Sequence, residues 1–288
     1  GAASAFWNLS REGFLENSNV ISNLKLRASY GVTGNDRITG GYYGGLTNTF
    51  DLFNTGQAYN GSVGLAPSQI ANEDVEWEST TQANVGIDFG FANNRLTGTL
   101  DFYNRETENV FLQIPNTAIS GGFTSISGNL GTLSNKGVEI ALNWNAINSE
   151  DFKLNFFANA SYNKNEIESL PGSEPNQYGE VILNDGERAV EAVGNPFNTF
   201  YVVRWAGVNP NDGTPLYLDR DGDLTSEYDL ANRVLTDKSS LPTYQGGFGS
   251  DISYKGFALS TQWSFAEDVW RNNGDLGVAE DPTLIGIA

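Results

Sequence analysis

The sequence contains no cysteine, no histidine and no methionine, and only 16 of its 288 residues are lysine or arginine. Without cysteine there is no disulfide framework, thiolate metal site or thiol nucleophile. Without histidine, the most frequent general base and transition-metal ligand is gone as well. The lack of methionine, initiator included, leads to the expectation that Gly1 is not where translation began and that the chain is a processed or truncated piece of something longer. Against the scattered cations stand 35 carboxylates, for a net charge of −19. Nucleic acid is therefore excluded as a partner, because phosphate contacts need clusters of Lys and Arg. Most of the acidic residues fall in predicted loops, where they solvate the surface. No signal peptide opens the chain and no run of about 18 apolar residues occurs, so a helical membrane span is excluded.

What is present points to strands. The 33 glycines, 12% aromatic and 18% charged residues indicate an all-β protein with many turns. Alternation with period two marks paired segments at Ala2–Ser10, Leu24–Val32, Thr80–Phe91, Leu96–Arg105, Lys136–Ile147, Asp151–Asn163, Gln245–Tyr254 and Phe257–Phe265, with weaker ones at Thr199–Gly207 and Pro215–Asp219. The count is about ten strands. Short turns are expected at 92–95, 148–150 and 255–256, and long Gly/Asn/Ser-rich connections at 33–78, 106–135 and 164–198. Tight turns at one end and long loops at the other describe an up-and-down membrane barrel.

The four strands between Thr81 and Tyr162 have two unlike faces. One carries Val85, Ile87, Phe89, Phe91; Leu96, Leu100, Phe102; Val138, Ile140, Leu142, Trp144, Ala146; Phe152, Leu154, Phe156, Ala158, Ala160 and Tyr162, with no charge. The other carries Asp88, Asp101, Tyr103, Glu139, Asn143 and Asn145, which are the candidate lumen-facing residues of a barrel. A sandwich core enforces an apolar stripe too. Segments of about 9–11 residues and aromatics near the turns favour a membrane barrel, and a soluble β-sandwich glycan-binding module is the alternative.

Chemistry-bearing constellations are few. Tyr217–Glu227, "YLDRDGDLTSE", places Asp219, Asp221 and Asp223 in one loop, a weak calcium candidate whose glycine and final glutamate are misplaced for an EF-hand; a plain hairpin loop is the favoured reading. Glu73, Asp74, Glu76 and Glu78 beside Trp77 contain enough carboxylates for glycoside hydrolysis, although an acidic loop entering a strand explains them better. With no Gly-x-Ser-x-Gly elbow either, no enzyme is expected. Tyr42, Tyr43, Phe50, Phe53 and Tyr59 are possible loop contacts, for stacking on a ligand or for packing the loop.

Four stretches carry a resemblance. "SNLKLRASYGVTGN" (Ser22–Asn35), "WESTTQANVGIDFGFANNRLTGTLDFYNRETENV" (Trp77–Val110), "GNLGTLSNKGVEIALN" (Gly128–Asn143) and "SYKGFALSTQWSF" (Ser253–Phe265) resemble, in that order, the barrel of SusC/RagA-type TonB-dependent outer-membrane transporters of Bacteroidetes. The resemblance implies a large antiparallel transmembrane β-barrel of about 22 strands when complete. It also implies bacterial outer-membrane location, import of an oligosaccharide or peptide driven through TonB, and a SusD-like surface lipoprotein at the mouth. No cofactor is implied. The chain shows no plug domain, TonB box or aromatic terminal strand, and the tail Arg271–Ala288 matches nothing in the family. Residues 1–288 are therefore expected to be a partial barrel that pairs, in outer-membrane lipid, with the rest of the same barrel, since bare strand edges in hydrocarbon cost several kcal/mol per backbone group.

Overall fold

A computed structural model describes residues 1–36, 52–59, 62–69, 71–115 and 125–273. In chain order its strands are β1 (Ala2–Asn8), β2 (Ile21–Asn35), β3 (Leu52–Tyr59), β4 (Ser62–Gln69), β5 (Glu78–Phe91), β6 (Leu96–Glu108), β7 (Phe111–Pro115), β8 (Ser125–Asn129), β9 (Thr132–Asn148) and β10 (Phe152–Ser169). There follow β11 (Ile182–Leu183), β12 (Ala189–Ala192), β13 (Thr199–Val202), β14 (Arg204–Val208), β15 (Pro215–Leu218), β16 (Leu224–Thr225), β17 (Val234–Ser239), β18 (Tyr244–Tyr254) and β19 (Phe257–Glu267). No helix among the described residues is long and apolar enough to cross a membrane, which does not bear on crossing by strands.

Eight strands form one antiparallel meander in the order β1-β2-β5-β6-β9-β10-β18-β19. The two weak segments at Thr199–Gly207 and Pro215–Asp219 are strands, but they belong to small sheets inserted between β10 and β18. All short connections lie at one end of the meander, and each follows from local chemistry. Lys255 and Gly256 both have positive φ (43° and 91°), as a two-residue type I′ hairpin requires. Ala92, Asn93 and Asn94 all sit in the left-handed region, which Asn tolerates better than most residues. The long connections all leave from the other end and carry their own hairpins, β3–β4 and β7–β8, and the β11–β17 insertion.

Among the described residues the sheet has no second layer. On its apolar face Val85 is 54% exposed, Phe248 53% and Trp263 62%, values that no sandwich core would leave. This ends the sandwich reading for the described residues. What is buried lies elsewhere, at the long-loop end, where Val110, Leu112, Ile167, Leu170 and Leu183 form one cluster and Val190, Ala192 and Tyr201 another.

Cross-strand pairs bound the apolar span on β10 and β18. Tyr162 lies opposite Tyr244 with ring centroids 5.2 Å apart, and Phe152 lies opposite Tyr254 at 6.3 Å. The two pairs are ten residues apart along β10, about 33 Å of strand, or about 23 Å along a bilayer normal at a tilt of about 45°, close to the height of an outer-membrane apolar band. Beyond Tyr162 the same face turns to Lys164, Glu166 and Glu168. Among the described residues three register shifts interrupt the alternation of the meander, one of them near the tight turn between β9 and β10. The register shifts between Leu154 and Asn155, so that Asn145 and Ile147 pair across and Ala146 is left in a bulge. Ile147, not Ala146, therefore takes the apolar-face place opposite Leu154, and the Arg95 guanidinium donates to the Ala146 carbonyl.

Candidate functional site

The polar face of the sheet gathers the six candidate wall residues. Arg27 on β2, Gly86 on β5, Asp101 on β6 and Glu139 on β9 stand in one cross-strand row. Arg27 donates from Nε to Asp88 Oδ1 (2.8 Å) and from Nη2 to Asp101 Oδ2 (3.0 Å), and Lys25 Nζ is 3.6 Å from Asp88. The crossing exists because position 86 has no side chain: a Cβ there would lie 2.4 Å from Asp101 Oδ1 and 2.8 Å from Arg27 Nη2.

The next row repeats the device. The Tyr103 hydroxyl donates to Asn163 Oδ1 (2.9 Å) over Gly137, which pairs with both. Asn163 in turn donates to Asn135 Oδ1 at 3.1 Å. Toward the tight turns, Asn143 pairs with Thr97 and Phe157, and Asn145 with Asn155. A cavity of about 500 Å³ opens beside Asp101, Glu139, Ser161 and Gln245. The face is polar over most of its length, charged near Arg27 and amide-rich on either side, with Phe157 opposite Asn143. The glycines were the signal that sequence reading passed over: each stands directly between a long donor and its acceptor two strands away.

The remaining sequence candidates are placed as follows. Asp219 accepts from the Asp223 backbone N–H (2.8 Å) while Asp219 N donates to the Asp223 carbonyl (3.0 Å), so the aspartates cap a closed turn. Among the described residues no group of three or more potential metal ligands is gathered. The Glu76 and Glu78 carboxylates stitch the loops together: Glu76 Oε2 accepts from Asn109, and Glu78 accepts from the Phe111 backbone N–H and from Asn35 Nδ2. Phe53 lies exposed on β3, and the Tyr59 backbone ends that strand. Tyr42, Tyr43 and Phe50 lie outside the described residues.

An uncovered apolar belt between aromatic rims, one polar face and segregated loop lengths together define a membrane barrel wall. The family model for TonB dependent receptor-like β-barrels matches residues 2–273. The chain belongs to this family. Its β-barrels are outer-membrane proteins, and its members are receptors and transporters, not enzymes.

The chain is similar to the TonB-dependent receptor SusC of Bacteroides thetaiotaomicron, at 31% identity over 88% of this chain and 26% of the relative. It is similar to the TonB-dependent receptor P39 of Formosa agariphila, at 29% identity over 92% of this chain and 29% of that protein. It also superposes on the RagAB peptide transporter with a TM-score of 0.77 and 30% identity, covering 91% of this chain and 28% of the solved one. The chain thus spans well under a third of the length of these relatives.

Proposed function

We propose that this chain supplies part of the wall and the long loops of an outer-membrane transporter that imports an oligosaccharide or peptide nutrient with energy relayed through TonB. The observation that carries the reading is the bare apolar belt, bounded by Tyr162–Tyr244 and Phe152–Tyr254. Its height fits the hydrocarbon of an outer membrane, and no protein layer covers it among the described residues.

In this reading Asp88, Asp101, Tyr103, Glu139, Asn143 and Asn145 face the lumen and meet the plug contributed by the rest of the protein. The bonds of Asp88, Asp101 and Tyr103 to Arg27 and Asn163 give this part of the wall fixed charges and amides. The loops packed around Val110–Leu183 and Val190–Tyr201 form the outer surface on which a SusD-like lipoprotein docks. Edge strands β1 and β19 pair with the remainder of the same barrel. SusC and RagAB, to which the chain is similar, are named as a TonB-dependent receptor and a peptide transporter.

The test is fractionation of cells expressing the full-length gene, followed by electrophoresis with and without boiling. An outer-membrane protein whose mobility changes on heating is the expected result, with uptake abolished in a strain lacking TonB. A freely soluble, monomeric full-length product overturns the reading.

A further inference from the structure

Although the cations are scattered in sequence, the fold collects four of the 16 around one cavity of about 840 Å³ at the long-loop end. Arg188, Arg233, Lys238 and Arg271 line it, and among the described residues no Asp or Glu does. In a chain of net charge −19, that patch has the opposite sign to its surroundings, and a concave wall concentrates its field.

Aromatic rings hold two of the cations in place. The Arg233 guanidinium lies 4.6 Å from the Tyr201 ring centroid and Lys238 Nζ lies 5.4 Å from that of Trp270. Arg233 is further fixed by donating Nε to the Leu230 carbonyl (3.1 Å), and Trp270 by its backbone N–H to the Ser239 carbonyl (2.9 Å). Lys238 is partly neutralised, with Asp237 at 3.7 Å and Asp268 at 3.8 Å. Among the described residues Arg188, Arg233 and Arg271 have no carboxylate within ion-pair distance.

We infer that this cavity binds an acidic peptide, its carboxylates on Arg188, Arg233 and Arg271 and its apolar parts against Phe200 and Tyr228, which are also in the lining. Guanidinium forks match carboxylates in pairs of hydrogen bonds. A neutral sugar is the poorer fit, because it carries no charge to match the cations of the lining, whose guanidinium groups only donate. The inference rests on the transporter reading and names the ligand chemistry its loop surface selects.

The experiment uses the full-length transporter purified from outer membranes in detergent. Binding of pentaglutamate, pentalysine, a neutral Gly-Ser peptide of equal length and pentagalacturonate is followed by calorimetry. Pentaglutamate should bind in preference to the other three and weaken as salt is raised. The double variant Arg188→Gln/Arg271→Gln should lose about tenfold in affinity for it, and Arg188→Lys/Arg271→Lys should lose less. Equal binding of the glutamate and lysine peptides, unchanged binding by the glutamine variant, or pentagalacturonate binding as tightly as pentaglutamate overturns the inference. Should the glutamine variant lose its heat-modifiable form, the wild-type glutamate-to-lysine preference and its salt dependence decide alone. Absence of the protein from the outer membrane defeats the transporter reading, whereas outer-membrane protein without charge discrimination defeats only this one.

Discussion

Arg27 reaches across Gly86 to Asp101, Nη2 to Oδ2 at 3.0 Å, spanning β5 at a position that contributes nothing but backbone. The guanidinium keeps the Asp88 and Asp101 carboxylates on β5 and β6 compatible with each other and with Glu139 in the next strand. Both ends of the bridge keep some solvent access, with side-chain exposures of 32% and 17%. Water screens it, so the coupling from an Arg27→Gln/Asp101→Asn double-mutant cycle should be about 0.5–1 kcal/mol. Urea unfolding of the full-length protein in detergent measures it. A coupling of zero would mean that the bridge does not order the wall.

The two crossing glycines should differ in their tolerance. At Gly86 an added Cβ meets only the ends of Asp101 and Arg27, which can swing away; at Gly137 it lies 2.3 Å from the Tyr162 carbonyl oxygen and 2.5 Å from Tyr103 Cζ. Backbone cannot yield as cheaply. Gly137→Ala should therefore destabilise by about 1–3 kcal/mol and Gly86→Ala by clearly less, read as the midpoint of loss of the heat-modifiable band. The reverse order would contradict the packing described.

Neighbouring positions on β10 should report opposite media. Ala158 lies midway between the Phe152 and Tyr162 rims on the apolar face, and Asn159 faces the other way. Ala158→Arg should cost about 2–4 kcal/mol in reversible folding into lipid vesicles, whereas Asn159→Arg should cost little. Equal costs would show that the apolar face does not meet lipid.

Glu191 on β12 is buried in the loop layer opposite Leu183. Burial raises its pKa above the ordinary 4.5, only partly offset by a hydrogen bond from its own backbone. A raised carboxyl favours the folded loops while protonated, below the unfolded value, and that contribution is lost as pH rises through the folded value. Glu191→Gln should thus slow hydrogen exchange around β12 and β13 at neutral pH and change little near pH 4. No difference between the two pH values would refute the assignment.

Much of this was legible in the chain because the cues are local. Period-two alternation names strands and their faces, and Lys255-Gly256 and the Asn93-Asn94 turn name hairpins, since these depend on φ, ψ and adjacent side chains alone. The motifs at Trp77–Val110 and Ser253–Phe265 carried the family for the same reason: they are the membrane strands, where lipid on one side constrains every second residue.

Loops obey no such period. Nothing in "EWESTT" announces that Glu76 and Glu78 tie down Asn109 and the Phe111 amide, because those partners lie 33 residues away. The sequence by itself determined the eight strands of the meander, their two faces and the end at which the loops gather, but not most of the small strands within the long connections. The tertiary structure alone decided the bulge at Ala146, the passage of Arg27 and Tyr103 over glycines, and the meeting of four dispersed cations at one cavity. These depend on register between strands and on long-range packing, and a pairing that closes many residues apart leaves no mark in the local pattern of either partner.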